Sequence, residues 1–180
     1  IVAFGSSNTD RRIHGLHWFD WLDLGIKQTY GRVAHSINAG TGGDTTRDLL
    51  SRWDADVAFY RPHAVLVTIG GNDANPEKEL GADEYRANLQ ALVRRTRGLG
   101  AVPILQTYYA ADLAELGEPH AGNFERNQQI IREVAGAEGS ELVDHHARWE
   151  PVRLRHPQLF CGLMLDALHI NPLGNAIMGL

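Results

Sequence analysis

Four short segments of the chain concentrate the residue types that acyl-transfer chemistry needs. They are Gly5 to Thr9, Asn38 to Asp44, Gly70 to Asp73 and Asp166 to His169. A serine becomes a nucleophile when a base takes its proton, and an imidazole oriented by a carboxylate is a suitable base. Backbone N–H groups and an amide side chain can bind the oxyanion that forms. The segments contain all of these parts, provided that the fold brings them together.

Ser7 follows an apolar run and a glycine, where a turn from a strand into a helix would present its hydroxyl above a sheet. A serine there is more often a turn or cap residue, so its role depends on a base elsewhere. Asp166 and His169 are three residues apart, which on one helical turn lets the carboxylate reach the imidazole. Alone, such a pair is more often structural. Together with Ser7, it predicts a catalytic triad.

Gly43 and Asn72 are candidate oxyanion donors. Gly43 precedes a predicted helix, so its N–H is free to point into a cleft, and Asn72 offers an amide just after an apolar strand. Either residue could instead serve only its turn. Tyr108 and Tyr109 follow another predicted strand, and we expect them at the same rim, lining the substrate pocket.

The elements that must position these residues alternate along the chain. Apolar runs predict strands at Ile1 to Phe4, Arg32 to Asn38, Ala64 to Ile69, Pro103 to Thr107 and Glu141 to Asp144. Helical spacing predicts helices at Leu16 to Gln28, Asp44 or Thr45 to Trp53, Asp83 to Arg97 and Asn123 to Ala137, with a surface loop at Ala111 to Asn123. This alternation predicts an α/β fold of three layers, a parallel sheet of flavodoxin-like order with helices on both faces, in one domain over residues 1–180.

Composition bounds the partners. The net charge is −5, from 17 basic and 22 acidic residues without a long run of either sign, which disfavours nucleic acid as a partner. No apolar run is long enough to span a membrane. Cys161 is the only cysteine, so no intrachain disulfide can form and a cytoplasmic location is favoured. Because the sequence opens inside a predicted strand, a removed signal peptide is the alternative. The sequence predicts no oligomeric state.

The four segments, in this order, resemble the sequence blocks of the SGNH (GDSL-like) hydrolases across nearly the whole chain. The matching blocks are Phe4 to Thr9, Asn38 to Thr46, Gly70 to Asp73 and Asp166 to Gly174. The resemblance implies a flavodoxin-like three-layer fold and a triad of Ser7, His169 and Asp166. It also implies an oxyanion hole of the Ser7 N–H, the Gly43 N–H and the Asn72 side chain, with no metal or organic cofactor. One departure is Ser6, where the family usually has aspartate.

The function predicted is hydrolysis of small carboxylic esters, short acyl or acetyl esters above all, through an acyl-enzyme. Two alternatives come from other classes of protein. One is a catalytically silent module on the same fold that binds an acylated or glycan ligand. The other is a metal-dependent phosphoesterase. Only Asp144, His145 and His146 are grouped, loosely, as zinc ligands would be, and such residues at a strand end are more often polar surface.

Overall fold

The computed structural model describes all 180 residues and contains one parallel sheet of five strands. The strands are β1 (Val2–Gly5), β2 (Ile37–Gly40), β3 (Ala64–Thr68), β4 (Val102–Gln106) and β5 (Glu141–Val143). Their order across the sheet is β2-β1-β3-β4-β5, and every neighbouring pair is parallel. This is the flavodoxin-like order, and it confirms the predicted fold class.

Helices cover both faces of this sheet. They are α1 (Trp18–Tyr30), α2 (Thr46–Asp56), α3 (Gly71–Ala74), α4 (Ala82–Gly98), α5 (Leu113–Leu116), α6 (His120–Glu138), α7 (His145–Arg155), α8 (Pro157–Cys161) and α9 (Pro172–Gly179), with short 3-10 turns at Ala58–Tyr60 and Pro76–Lys78. None of these helices is both long and apolar enough to cross a membrane.

Alternating strand residues build two separate cores. Phe4 and Val65 pack on one face against the buried residues of α2, α4 and α6, in the larger apolar cluster. Ala3 and Leu66, their chain neighbours, point to the opposite face and join α1, α7 and α9 in a second cluster. Successive side chains of a strand point to opposite faces, so a sheet that is covered on both sides needs apolar residues at consecutive positions.

Two predicted segments differ in the structure. The second strand was placed at Arg32 to Asn38, whereas β2 starts at Ile37, because pairing with β1 fixes its register from Val2 opposite Ile37. Ala111 to Asn123 is not wholly a surface loop, since it holds α5 and the start of α6. Asp112 caps α5 by accepting hydrogen bonds from two backbone N–H groups. A helix defined by such a cap shows no helical spacing of apolar residues in the sequence, so it was not predicted.

Register aligns the ends of three strands that carry the candidate site. Gly5, the last residue of β1, lies opposite Gly40 in β2 and Thr68 in β3. The segments that follow these strands therefore leave the sheet at one edge. Ligand sites of open α/β sheets form at this carboxyl edge.

Candidate active site

The turn after β1 presents Ser7. The N–H groups of Thr9 and Asp10 both donate to the carbonyl of Ser6, at 2.9 Å each, which closes the turn. Ser7 is 7% exposed, and its own N–H has no acceptor within the protein. Its Oγ lies 2.9 Å from Nε2 of His169. The structure thus brings together two residues that are 162 positions apart.

Asp166 and His169 lie on a bend rather than on the predicted helical turn. Oδ1 of Asp166 accepts hydrogen bonds from the N–H groups of Leu168 and His169, at 2.9 and 2.8 Å, and these bonds shape the bend. Both carboxylate oxygens lie 2.8 Å from Nδ1 of His169. Partial burial raises the pKa of Asp166, but hydrogen bonds from Leu168 and His169 outweigh it and hold the pKa below its usual value. The carboxylate therefore stays charged beside the imidazole.

A buried hydroxyl joins the serine turn to the histidine bend. The Tyr109 hydroxyl lies 2.5 Å from Oδ1 of Asn8 and 2.7 Å from the carbonyl of Leu168, and it accepts from the N–H of Ile170 at 3.1 Å. Nδ2 of Asn8 also donates to the Leu168 carbonyl, at 3.3 Å. Asn8 follows the serine, and Leu168 and Ile170 flank His169, so these bonds fix Ser7 relative to His169.

Tyr108 and Tyr109 do not form the wall of an open pocket, which corrects the expectation from their place after β4. The two side chains are 1% and 0% exposed. The Tyr108 hydroxyl lies 2.9 Å from Oγ of Ser6, which is also fully buried. The resemblance leads us to expect aspartate at position 6. Ser6 instead forms a hydrogen bond between two neutral hydroxyls, its own and that of Tyr108, in the turn that carries Ser7.

The loop after β2 packs closely on the serine turn. A Cβ on Gly40 would lie 2.2 Å from the backbone nitrogen of Asp10, so only glycine permits this approach. Nδ2 of Asn38 donates to the carbonyl of Thr9 at 2.7 Å, and the N–H of Gly42 donates to the Asp10 carboxylate at 3.1 Å. These contacts fix the glycine loop against the turn that carries Ser7.

Gly43 and Asn72 meet at the same loop. Gly43 has φ of 85°, a backbone conformation that favours glycine, and its N–H donates to no group of the protein. Nδ2 of Asn72 donates to the carbonyl of Asp44 at 2.8 Å. That bond orients the Asn72 amide next to Gly43 and leaves one of its two hydrogens for another acceptor.

Asp73 is a buried anchor whose part the sequence did not reveal. It is 2% exposed, and Oδ1 accepts from the N–H and the hydroxyl of Thr46, at 2.8 and 2.6 Å. The second oxygen, Oδ2, has no hydrogen-bond partner. Burial raises the pKa of Asp73 to about 6, although the bonds from Thr46 act in the other direction. Asp73 thus ties the Asn72 segment to the first turn of α2.

The residues weighed as zinc ligands do not converge. The Asp144 carboxylate is held by Arg132, and His146 lies within reach of Arg132 and Glu125. His145 is buried, faces an apolar cavity of about 360 Å³ and has no hydrogen-bond partner on either ring nitrogen. No group of three or more histidine, cysteine, aspartate or glutamate side chains lies close enough to hold a metal ion.

Arg12 is a further residue at the site that the sequence did not single out. Its Nη1 lies 2.6 Å from Nε2 of His169, on the atom that Ser7 also faces. The sequence gives no sign of this role, because an arginine five positions after a serine belongs to no known motif. Only the fold of the loop between β1 and α1 brings Arg12 back to the histidine.

The fold and this constellation define an α/β hydrolytic enzyme of the flavodoxin-like type. The model of the GDSL-like lipase/acylhydrolase family matches residues 3–177. The chain belongs to this family, and it is a carboxylic ester hydrolase.

Individual relatives agree with this assignment. An acetylxylan esterase of Geobacillus stearothermophilus is 30% identical over 151 residues, which cover 79% of this chain and 67% of the relative. An uncharacterized lipoprotein of Bacillus subtilis, YqeF, is 31% identical over 174 residues, which cover 81% of this chain and 70% of the relative. The crystal structure of Axe2, an acetylxylan esterase from Geobacillus stearothermophilus, superposes with a TM-score of 0.85 at 26% identity, over 99% of this chain and 89% of that chain.

Proposed function

We propose that the protein hydrolyses acetyl esters by two-step acyl transfer. His169 removes the proton of Ser7, and the Ser7 oxygen attacks the ester carbonyl. His169 then gives the proton to the departing alcohol as the acyl-enzyme forms. In the second step His169 takes a proton from water as the water oxygen attacks the acyl-enzyme, and it then gives that proton to the departing Ser7 oxygen, which releases the acid and restores the serine hydroxyl.

The observation that carries this proposal is the position of the His169 ring between two groups. Nε2 lies 2.9 Å from the hydroxyl of Ser7, and Nδ1 lies 2.8 Å from both oxygens of Asp166. With its Nδ1 proton on the carboxylate side, the ring presents an Nε2 lone pair to the serine. The charge of Asp166 would stabilise the imidazolium that forms as Ser7 attacks.

Three donor groups support an oxyanion hole. The N–H groups of Ser7 and Gly43 have no acceptor in the protein, and the Asn72 amide keeps one hydrogen free beyond its bond to Asp44. Donors that are fixed before the reaction stabilise the tetrahedral intermediate without reorganising. These three groups would donate hydrogen bonds to the carbonyl oxygen as it becomes negatively charged.

Variants of Axe2 support the triad. Three of its crystal structures are described as those of catalytic mutants, in which a serine, a histidine or an aspartate is replaced by alanine. The aspartate and the histidine of Axe2 are three positions apart, as Asp166 and His169 are here.

The relatives favour a small acyl group. Those described as acetylxylan esterases act on acetyl groups of a polysaccharide, as their names state. We propose an acetylated carbohydrate of the xylan type as the substrate class.

A fluorophosphonate probe and a panel of esters test this function. We expect one adduct by intact-protein mass spectrometry, placed on Ser7 by peptide mapping. Among p-nitrophenyl esters of increasing chain length, kcat/KM should be highest for acetate, and acetylated xylooligosaccharides should release acetate. Adduct formation on Ser6, or no adduct and no turnover, would contradict the assignment; the second result would favour a silent binding module. Loss of activity with EDTA would favour the metal-dependent alternative.

The location of the protein stays a prediction. Its single cysteine favours the cytoplasm, whereas one relative is described as a lipoprotein, which favours export. Fractionation of the source cells would decide between them.

A further inference from the structure

Two side chains compete for one atom of the proposed catalytic base. Nε2 of His169 lies 2.9 Å from Oγ of Ser7 and 2.6 Å from Nη1 of Arg12. In the tautomer whose Nδ1–H faces Asp166, Nε2 has a single lone pair and accepts one hydrogen bond. Because a guanidinium always donates, Ser7 can pass its proton to His169 only after Arg12 moves away.

Arg12 is exposed, and His169 is the only hydrogen-bond partner of its guanidinium. The neighbouring Arg11, in contrast, is paired with the carboxylate of Asp20. An arginine carries five N–H donors arranged to match a carboxylate, so most of the donors of Arg12 are unused beside the nucleophile.

The position of Arg12 indicates which part of a substrate it would meet. Nε2 of His169 is the atom that returns the proton to the leaving alcohol. A group that lies on Nε2 is therefore next to the alcohol part of the ester.

We propose that Arg12 selects esters that carry a carboxylate on the alcohol side of the scissile bond. The carboxylate draws the guanidinium off Nε2, and this frees the lone pair for the proton of Ser7. It also neutralises a positive charge that would otherwise oppose the imidazolium. An acetylated sugar next to an acidic sugar unit has this chemistry. The inference rests on the proposed function, since it assigns a substrate class to the same site.

A matched pair of substrates tests the selection. We would measure kcat/KM for 3-acetoxybenzoate and 3-acetoxybenzamide, which share the acetyl group and the ring and differ in charge. The ratio of the two values is compared between wild-type protein and Arg12→Gln, so that their intrinsic reactivities cancel. Arg12→Gln should lower the ratio about tenfold, the loss expected for one charge-assisted contact. Its kcat/KM on the neutral amide should rise, because no guanidinium then occupies Nε2 of His169, and a fall on the neutral amide would count against the selection.

Controls separate charge selection from other effects. Arg11→Gln removes an equal charge one residue away and should leave the ratio unchanged, whereas Arg12→Lys should keep part of it. As a second measurement, 3-hydroxybenzoate should inhibit hydrolysis of p-nitrophenyl acetate more weakly in Arg12→Gln than in wild type. An unchanged ratio, or an equal loss on both substrates, would overturn the selection while leaving the Ser7 chemistry intact. If Ser7 took no fluorophosphonate and no ester were cleaved, the proposed function itself would fail, and the selection with it.

Discussion

The two sides of the site are held in different ways. The side proposed for proton transfer, Ser7, His169 and Asp166, is fixed by direct bonds between its own side chains, each 2.8 or 2.9 Å long. The side proposed to bind the oxyanion, Gly43 and Asn72, makes no such mutual bonds. Its geometry comes from the surrounding loops, through the Asn72 bond to Asp44.

Two carboxylates, one for each side, differ in exposure. The side chain of Asp166 is 49% exposed, and yet it is well placed, because three hydrogen bonds from its own bend define where it lies. The oxyanion side instead rests on Asp73, a carboxylate that is 2% exposed and whose charge is costly to bury. Bonds within its own bend thus hold Asp166 at the surface, whereas the Asn72 segment has a buried support in Asp73.

Ser7→Ala should have the largest effect, because it removes the only nucleophile of the proton-transfer side. We expect kcat to fall by roughly 10⁴-fold or more, leaving the rate that binding and oxyanion stabilisation alone provide. The matched control is Ser6→Ala, which removes an adjacent hydroxyl that contacts only Tyr108 and should cost less than about tenfold. Comparable losses in the two variants would contradict the assignment of Ser7.

Asn72→Ala should act on the oxyanion side. Loss of one side-chain donor costs roughly 10²–10³-fold in kcat, about 2.7–4 kcal/mol, with little change in KM, because the bond strengthens as the carbonyl oxygen gains charge. The residue could instead serve only the turn after β3, which predicts lowered thermal stability and unchanged turnover per folded molecule. Measuring Tm and kcat on one preparation separates these roles, and a folded variant with wild-type kcat would remove Asn72 from the oxyanion hole.

Tyr109→Phe should loosen the proton-transfer side without touching a reacting group. The change removes the hydroxyl that joins Asn8 to the backbone on both sides of His169. We expect kcat to fall about tenfold, together with slower fluorophosphonate labelling of Ser7, since a small misplacement of the base is costly. Tyr108→Phe is the control: its hydroxyl is equally buried but lies on Ser6. Equal losses of Tm with no loss of kcat in either variant would mean that both tyrosines only support the fold.

The fold was predictable from the sequence because its signals are local. The apolar run of β3 and the helical period of α4 stand out without knowledge of their partners. The edge strand β2 was displaced in the prediction, since its bounds depend on pairing with β1. Helices α7 and α8 were missed; the first begins at the Asp144 cap, and their buried residues Trp149 and Phe160 are too sparse to show a clear period.

The residues of the site also differ in whether their signals are local in the sequence. Residues that carry the chemistry fall into short motifs that can be read one by one. Residues that position them do not, because Tyr109 and Arg12 act through contacts with residues 101 and 157 positions away in the chain. Tyr109 was placed at the correct edge of the sheet, but only packing decides whether a ring faces the cleft or the core.

The last expected effect is on stability rather than on turnover, and it concerns the buried support of the proposed oxyanion side. The pKa of Asp73 is raised from 3.8 to about 6 in the folded protein, so between these values the folded chain holds a proton that the unfolded chain has lost. Stability from this group is thus complete below pH 3.8 and is lost as the pH rises through about 6. At 1.36 kcal/mol per pKa unit, the loss amounts to roughly 2–3 kcal/mol.

Asp73→Asn should remove this dependence, because asparagine keeps an oxygen for Thr46 and has no charge to bury. The difference in free energy of unfolding, wild type minus Asp73→Asn, should therefore fall by roughly 2–3 kcal/mol between pH 4 and pH 7.5, measured by urea titration. Asp48→Asn is the control. Against partial burial, hydrogen bonds from Thr45 lower the pKa of Asp48, so stability from this group is largely present at pH 4 and the corresponding difference should change little over this range. A difference for Asp73→Asn that stays constant over this range would mean that Asp73 is charged throughout, and that its second oxygen has a partner, such as a bound water, that stabilises the charge.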